Sequence, residues 1–161
     1  MMNHHIRQNI GLVLTLAVIL TPLTGQRLRR AVAAADLIAV AKSIRVIPTK
    51  HHVLYRMQIE EMLRGPRKLA DTKEVTVVET KRLSMHNRPV PAKKMLVCLH
   101  NFERGAQKVG LPKNFAPSFK MSGHPGSAVV LGADNDKDPR LEFARILVAS
   151  QKGISPRQVT E

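Results

Sequence analysis

Residues 50–59 alternate in a regular way. Val53, Tyr55, Met57 and Ile59 fall on one face, and His52, Leu54, Arg56, Gln58 and Glu60 on the other. Side chains along a strand point to alternate faces, so this pattern predicts a half-buried strand. The strand before it differs. Leu37, Ile38, Ala39, Val40 and Ala41 are apolar on both faces, and only after Lys42 do Ile44 and Val46 alternate with Ser43 and Arg45. A strand covered on both faces at one end and on one face at the other suits a long, curved member of a closed sheet.

The parity of the second strand slips near its end. Ile59 points inward, Glu61 takes the next inward slot, and Met62 is the next apolar residue. One extra residue, a β-bulge, would return Met62 to the core. Arg64-Gly65-Pro66 ends the strand, since proline cannot donate to a ladder. Val75 and Val77 in EVTVVET predict a third strand, and MLVCL (95–99), apolar on both faces, a central one. Residues 81–94 and 101–117 read as loops, the second long enough to suggest a function or a short hidden element. Residues 118–122 and 128–132 flank a Gly-His-Pro-Gly-Ser turn and are expected to pair with each other. Asp138-Pro139 then starts a helix, because aspartate caps and proline suits the first helical position. Leu141, Ala144, Leu147 and Val148 form its apolar stripe, and Gly153 stops it. The fold class expected is mainly β: an OB-like antiparallel barrel of five to six strands with a C-terminal α-helix.

The N-terminus changes the picture of where the domain begins. Arg7 precedes an uncharged run at 10–23, shorter than the roughly 20 residues of a membrane span and about right for a signal-peptide core. Small residues at Ala31, Ala33, Ala34 and Ala35 offer cleavage points. Arg27, Arg29 and Arg30 lie between, where a leader is ordinarily uncharged, so an uncleaved anchor stays open beside the signal peptide. Residues 1–35 are read as leader or anchor, 36–153 as the domain and 154–161 as a flexible tail. The expected location is outside the cytoplasm, periplasmic or extracellular.

The formal charge is +14. A cut after Ala35 leaves 22 basic residues against all 12 acids, or +10, over 126 residues. That balance suits an anionic polymer, a membrane surface or an acidic protein, or, since no block of five or six like charges occurs, basic side chains simply dispersed over a solvated surface. Lys93, Lys94, Arg104, Lys108, Lys113 and Lys120 are the candidate anion-binding residues, because Glu103 is the sole acid between Lys81 and Lys120. Nucleic acid is not expected: single-strand binders stack bases on aromatic rings, and this chain has one Tyr, four Phe and no Trp. Nothing in the pattern sets an oligomeric state.

Candidate chemistry narrows further. Cys98 is the single cysteine, within an apolar strand, and is expected buried and inert. His51 and His52 point to opposite faces of a strand, and His86, His100 and His124 stand apart, so no metal site is assigned. Asp134, Asp136 and Asp138 imitate the start of a calcium loop, but Pro139 and Arg145 stand where that loop needs Gly and Glu. Gly123 to Ser127 lacks the Lys-Ser/Thr ending and following helix of a phosphate loop. No catalytic residue and no cofactor is assigned.

The order ADLIAVAKSIRVI, VLYRMQIEEMLRGP, EVTVVE and PAKKMLVCL resembles that of small secreted bacterial domains with an OB-like barrel, over residues 36–132. It is also distantly similar to the netrin-like module of the tissue inhibitors of metalloproteinases. Ala41 replaces the usual Gly and Cys98 the usual aromatic residue. The N-terminal zinc-binding cysteine of those inhibitors has no counterpart, so their inhibition is not carried over. The resemblance implies a barrel and an exported address. The expected function is a non-catalytic binding or interaction module for an anionic partner. The alternative is an extracytoplasmic hydrolase or metal-dependent enzyme, which would need acid, base and nucleophile in one pocket.

Overall fold

A computed structural model describes residues 22–81 and 88–151. In chain order the elements are α1 (Pro22–Ala34), β1 (Leu37–Pro48), β2 (His52–Arg64), β3 (Glu74–Thr80), β4 (Lys94–Asn101), α2 (Glu103–Lys108), β5 (Ser118–Met121), β6 (Ala128–Val130) and α3 (Pro139–Gln151). β1, β2 and β3 form an antiparallel meander, β4 returns to pair with β1, and β5 joins β4 to β3. The order β1-β2-β3-β5-β4-β1 closes a five-stranded barrel, with β6 as a sixth strand on β4. The expected mainly β, OB-like class is the observed one. Its pairings are antiparallel except β3 with β5, which run parallel.

Parity decides what fills the barrel. Leu37, Ala39 and Ala41 of β1 point inward, with Tyr55, Met57, Val75, Val77, Met95, Val97, Leu99 and Phe119. Fully burying one such large apolar side chain stabilises by roughly 1.5–3 kcal/mol. The alternate residues of the two doubly apolar strands, Ile38 and Val40 of β1 and Leu96 and Cys98 of β4, point out into a second cluster. Three bulges bend the β1–β2 ribbon, with Ile44 extra on β1 and Glu60 and Leu63 extra on β2. The Glu60 bulge returns Met62 to the barrel, as the parity slip predicts.

The second cluster lies between the barrel wall and two helices. α3 supplies Leu141, Phe143, Ala144, Leu147 and Val148, and α1 supplies Leu28, Ala31 and Val32. The leader is expected outside the core; for residues 22–35 that expectation is corrected, since Leu28 and Val32 are 1% and 0% exposed. The single expected helix is likewise joined by α1 and by the short α2. The reason is tertiary. The outer faces of β1 and β4 are too apolar for one helix to cover, and a neighbouring amphipathic helix completes the cover.

α3 begins as predicted. Asp138 accepts from the backbone N–H of Arg140 at 2.9 Å and from that of Gly132 at 3.2 Å. The Arg140 guanidinium also holds it, and the carboxyl lies well below its ordinary value, at about 2. A bidentate pair from Arg145 to Glu61 fixes α3 on β2. Gly153 and the tail fall outside the described residues.

One expected pairing does not form. β5 and β6 do not pair with each other; both run antiparallel to β4, along successive stretches of one edge. Residues 122–127 leave that edge as an excursion. Gly126, at φ +87°, lies so close to α1 that a Cβ there would be 3.4 Å from the Arg27 backbone. The excursion turns outward to meet the helix, which the local turn signal does not encode.

Candidate binding groove

The β1–β2 turn is locked by its own threonine. Thr49 Oγ1 donates to the His52 carbonyl and accepts from the His52 N–H, each at 3.0 Å. The Lys81 N–H donates to the His51 carbonyl, tying the turn to the end of β3. Lys50 and His51 are left exposed at the tip.

Facing it is the connection from β4 to β5, expected as a loop and found to hold α2 and a 3-10 turn, Lys113–Phe115. The Asn101 side chain accepts from the Glu103 N–H at 3.0 Å, where α2 begins. At the other end the Leu111 N–H reaches the Ala106 carbonyl and the Gly110 N–H that of Gln107. This paired closure requires a left-handed residue, and Gly110 supplies it at φ +72°. Leu111 is thereby turned back toward the barrel.

The connection is then pinned over the outer face of β2 and β3. Arg56 donates to the Asn114 carbonyl at 3.3 Å and to Thr76 Oγ1 at 3.1 Å, while pairing with Glu74 at 2.9 Å. The Ala116–Pro117 peptide bond is cis, and the Pro117 carbonyl accepts from Thr76.

Between turn and connection lies an open groove of about 660 Å³. Its apolar lining comes from Ile47 and Leu54 of the hairpin and from Val109, Leu111, Pro112 and Phe115 opposite. Lys50, His51 and His52 supply polar and cationic groups at one side. No carboxylate is among the lining residues. Apolar concavity with a few directed polar groups is what a binding site needs, and in OB barrels these two connections flank the ligand face.

The six expected anion-binding residues do not sit together. Arg104 and Lys108 lie on α2 and Lys113 in the 3-10 turn, all in the connection that forms one wall of the groove. Lys120, on β5, holds its ammonium 5.9 Å from the centre of the Phe102 ring. Lys93 and Lys94 stand at the far end of β4, roughly 20 Å along the strand from Asn101. Lys94 is engaged by Glu60 at 2.5 Å, which raises its pKa. Charge spacing in sequence missed Lys50, His51 and His52. The glycine at 110 followed by Leu111 is a local signal for a helix stop in the connection, but nothing local tells that the connection faces the β1–β2 turn.

Elsewhere, two buried groups are set apart from the groove. Cys98 is buried, and loss of solvation pushes its thiol up to about 12. Glu79, 6% exposed at one end of the barrel, accepts from the Met121 N–H at 2.9 Å. Burial raises its pKa, opposed by that bond and by Arg88 and Lys120. Among the described residues no group of three or more His, Cys, Asp or Glu is placed to hold a metal, and no helix is long and apolar enough to cross a membrane. No family model and no curated protein matches the chain.

Proposed function

We propose that this is an exported, non-catalytic binding module that takes an anionic partner in the groove between the β1–β2 turn and the β4–β5 connection. The observation that carries the reading is the groove: an apolar floor beside Lys50, His51 and His52, with Arg104, Lys108 and Lys113 on the connection that walls it. The resemblance of residues 36–132 to secreted OB-like barrels supports export. The chain's charge of +14 supports an anionic polymer, membrane surface or acidic protein.

Heparin is a suitable probe of the anionic class. Wild type is retained at low salt and released as salt rises, since exposed charges are screened over about 10 Å at 0.1 M. Reversing Arg104, Lys108 and Lys113 to Glu weakens retention far more than reversing Arg29, Lys42 and Lys93, an equal change of charge at exposed residues outside the groove lining. Equal retention of the two variants would overturn the assignment of the site.

A further inference from the structure

We infer that α1 belongs to the mature, folded domain, so that N-terminal processing spares Arg27 and everything after it rather than cutting at the alanines 33–35. This concerns the chain's maturation and stands independently of the groove.

Three unrelated contacts hold α1. Leu28, Ala31 and Val32 are buried in the cluster shared with α3 and the outer faces of β1 and β4. The guanidinium of Arg64, at the end of β2, donates to the carbonyls of Val32 and Ala35 and to Gln151 Oε1. Gly126, in a left-handed conformation, approaches the α1 backbone at Arg27–Leu28. A cut after Ala33 or Ala35 strips these apolar residues from the cluster and takes the Val32 carbonyl from a partly buried cation. Helix retention also explains the arginines that spoil the leader pattern: Arg27, Arg29 and Arg30 are exposed, Arg29 and Arg30 on the side of α1 away from its buried residues and Arg27 at the flank that Gly126 approaches. They are the wet face of an amphipathic helix. The domain keeps their three charges.

The full chain, expressed with its own N-terminus in an export-competent bacterium, is weighed intact by mass spectrometry. An uncut chain, or a first residue at or before Arg27, is the expected result; a first residue at Leu28 or later overturns the inference. A second measurement asks whether α1 packs at all. In the full chain Leu28→Ala is expected to lower Tm by roughly 10 °C, and Leu28→Met to restore most of it. Arg29→Ala, on the exposed side, changes Tm by no more than about 2 °C. Equal Tm values for Leu28→Ala and Arg29→Ala would also overturn it.

Discussion

The guanidinium of Arg64 donates to the backbone carbonyl of Ala35 at 2.5 Å, joining the last residue of β2 to the residue after α1. The same side chain serves Val32 and, through its other terminal nitrogen, Gln151 at the end of α3. One cation thus satisfies carbonyls that would otherwise be left at a crowded helix end. Desolvation lowers its pKa, but arginine stays charged at any ordinary pH.

Arg64→Met is therefore expected to cost about 1–3 kcal/mol by leaving partly buried carbonyls without donors. Arg64→Lys recovers only part, because a point-like ammonium cannot span three acceptors as a planar fork does. Urea unfolding of the three proteins checks this; indistinguishable midpoints would show that the fork contributes nothing.

Asp138 sets an acid limb. Its folded pKa, at about 2, is below the ordinary 3.8, so its contribution is fully present above the unfolded value and fades as pH falls toward 2. The difference corresponds to about 2 kcal/mol. Asp138→Asn is expected to be less stable at neutral pH and to lose less on acidification between pH 4 and 2. Thermal melts across that range decide it, and parallel curves would refute the linkage.

Glu79 works in the opposite sense. Its folded pKa is raised above 4.5, so the folded state holds the proton more tightly than the unfolded one. Stability then falls as pH rises from the unfolded value through the folded one. Glu79→Gln keeps an oxygen to accept from Met121 and carries no charge, so this fall should disappear from its melts. A mutant that retains the full decline places the titrating group elsewhere.

Cys98 is expected to resist a disulfide reagent in the native state. A buried thiol pushed up to about 12 offers almost no thiolate at neutral pH. Labelling should appear only as the protein unfolds in denaturant. Fast labelling without denaturant would contradict the burial.

What could be read from the chain was local or periodic. The bulge opposite Val40 follows from Ile59, Glu61 and Met62 by parity alone, and α3 from Asp138-Pro139. α1 was hidden because its apolar residues are few and its alanines fit a leader's cleavage points; its burial is decided by Ile38 and Val40 just after it and by Leu96, Cys98 and the α3 residues far along the chain. The turn at 123–127 was legible as a turn, but its strands pair with β4, a choice made by a distant edge. The groove is built from isolated apolar residues, Ile47 and Leu54 on one side and Leu111 and Phe115 on the other. None belongs to a period spanning both sides, so only the fold brings them into one wall.

The division of one β4 edge between β5 and β6 bears on self-association. β4 carries MLVCL, an uncharged apolar run of the sort that templates fibrils when a neighbouring chain can reach its amides. Here β1 takes one edge, while β5 and β6 take the two ends of the other. At the gap between them, the Cys98 N–H donates to Ser127 and the Cys98 carbonyl accepts from Ser122. The excursion that reaches out to α1 begins and ends by closing the one place where that edge would have stood open to another chain.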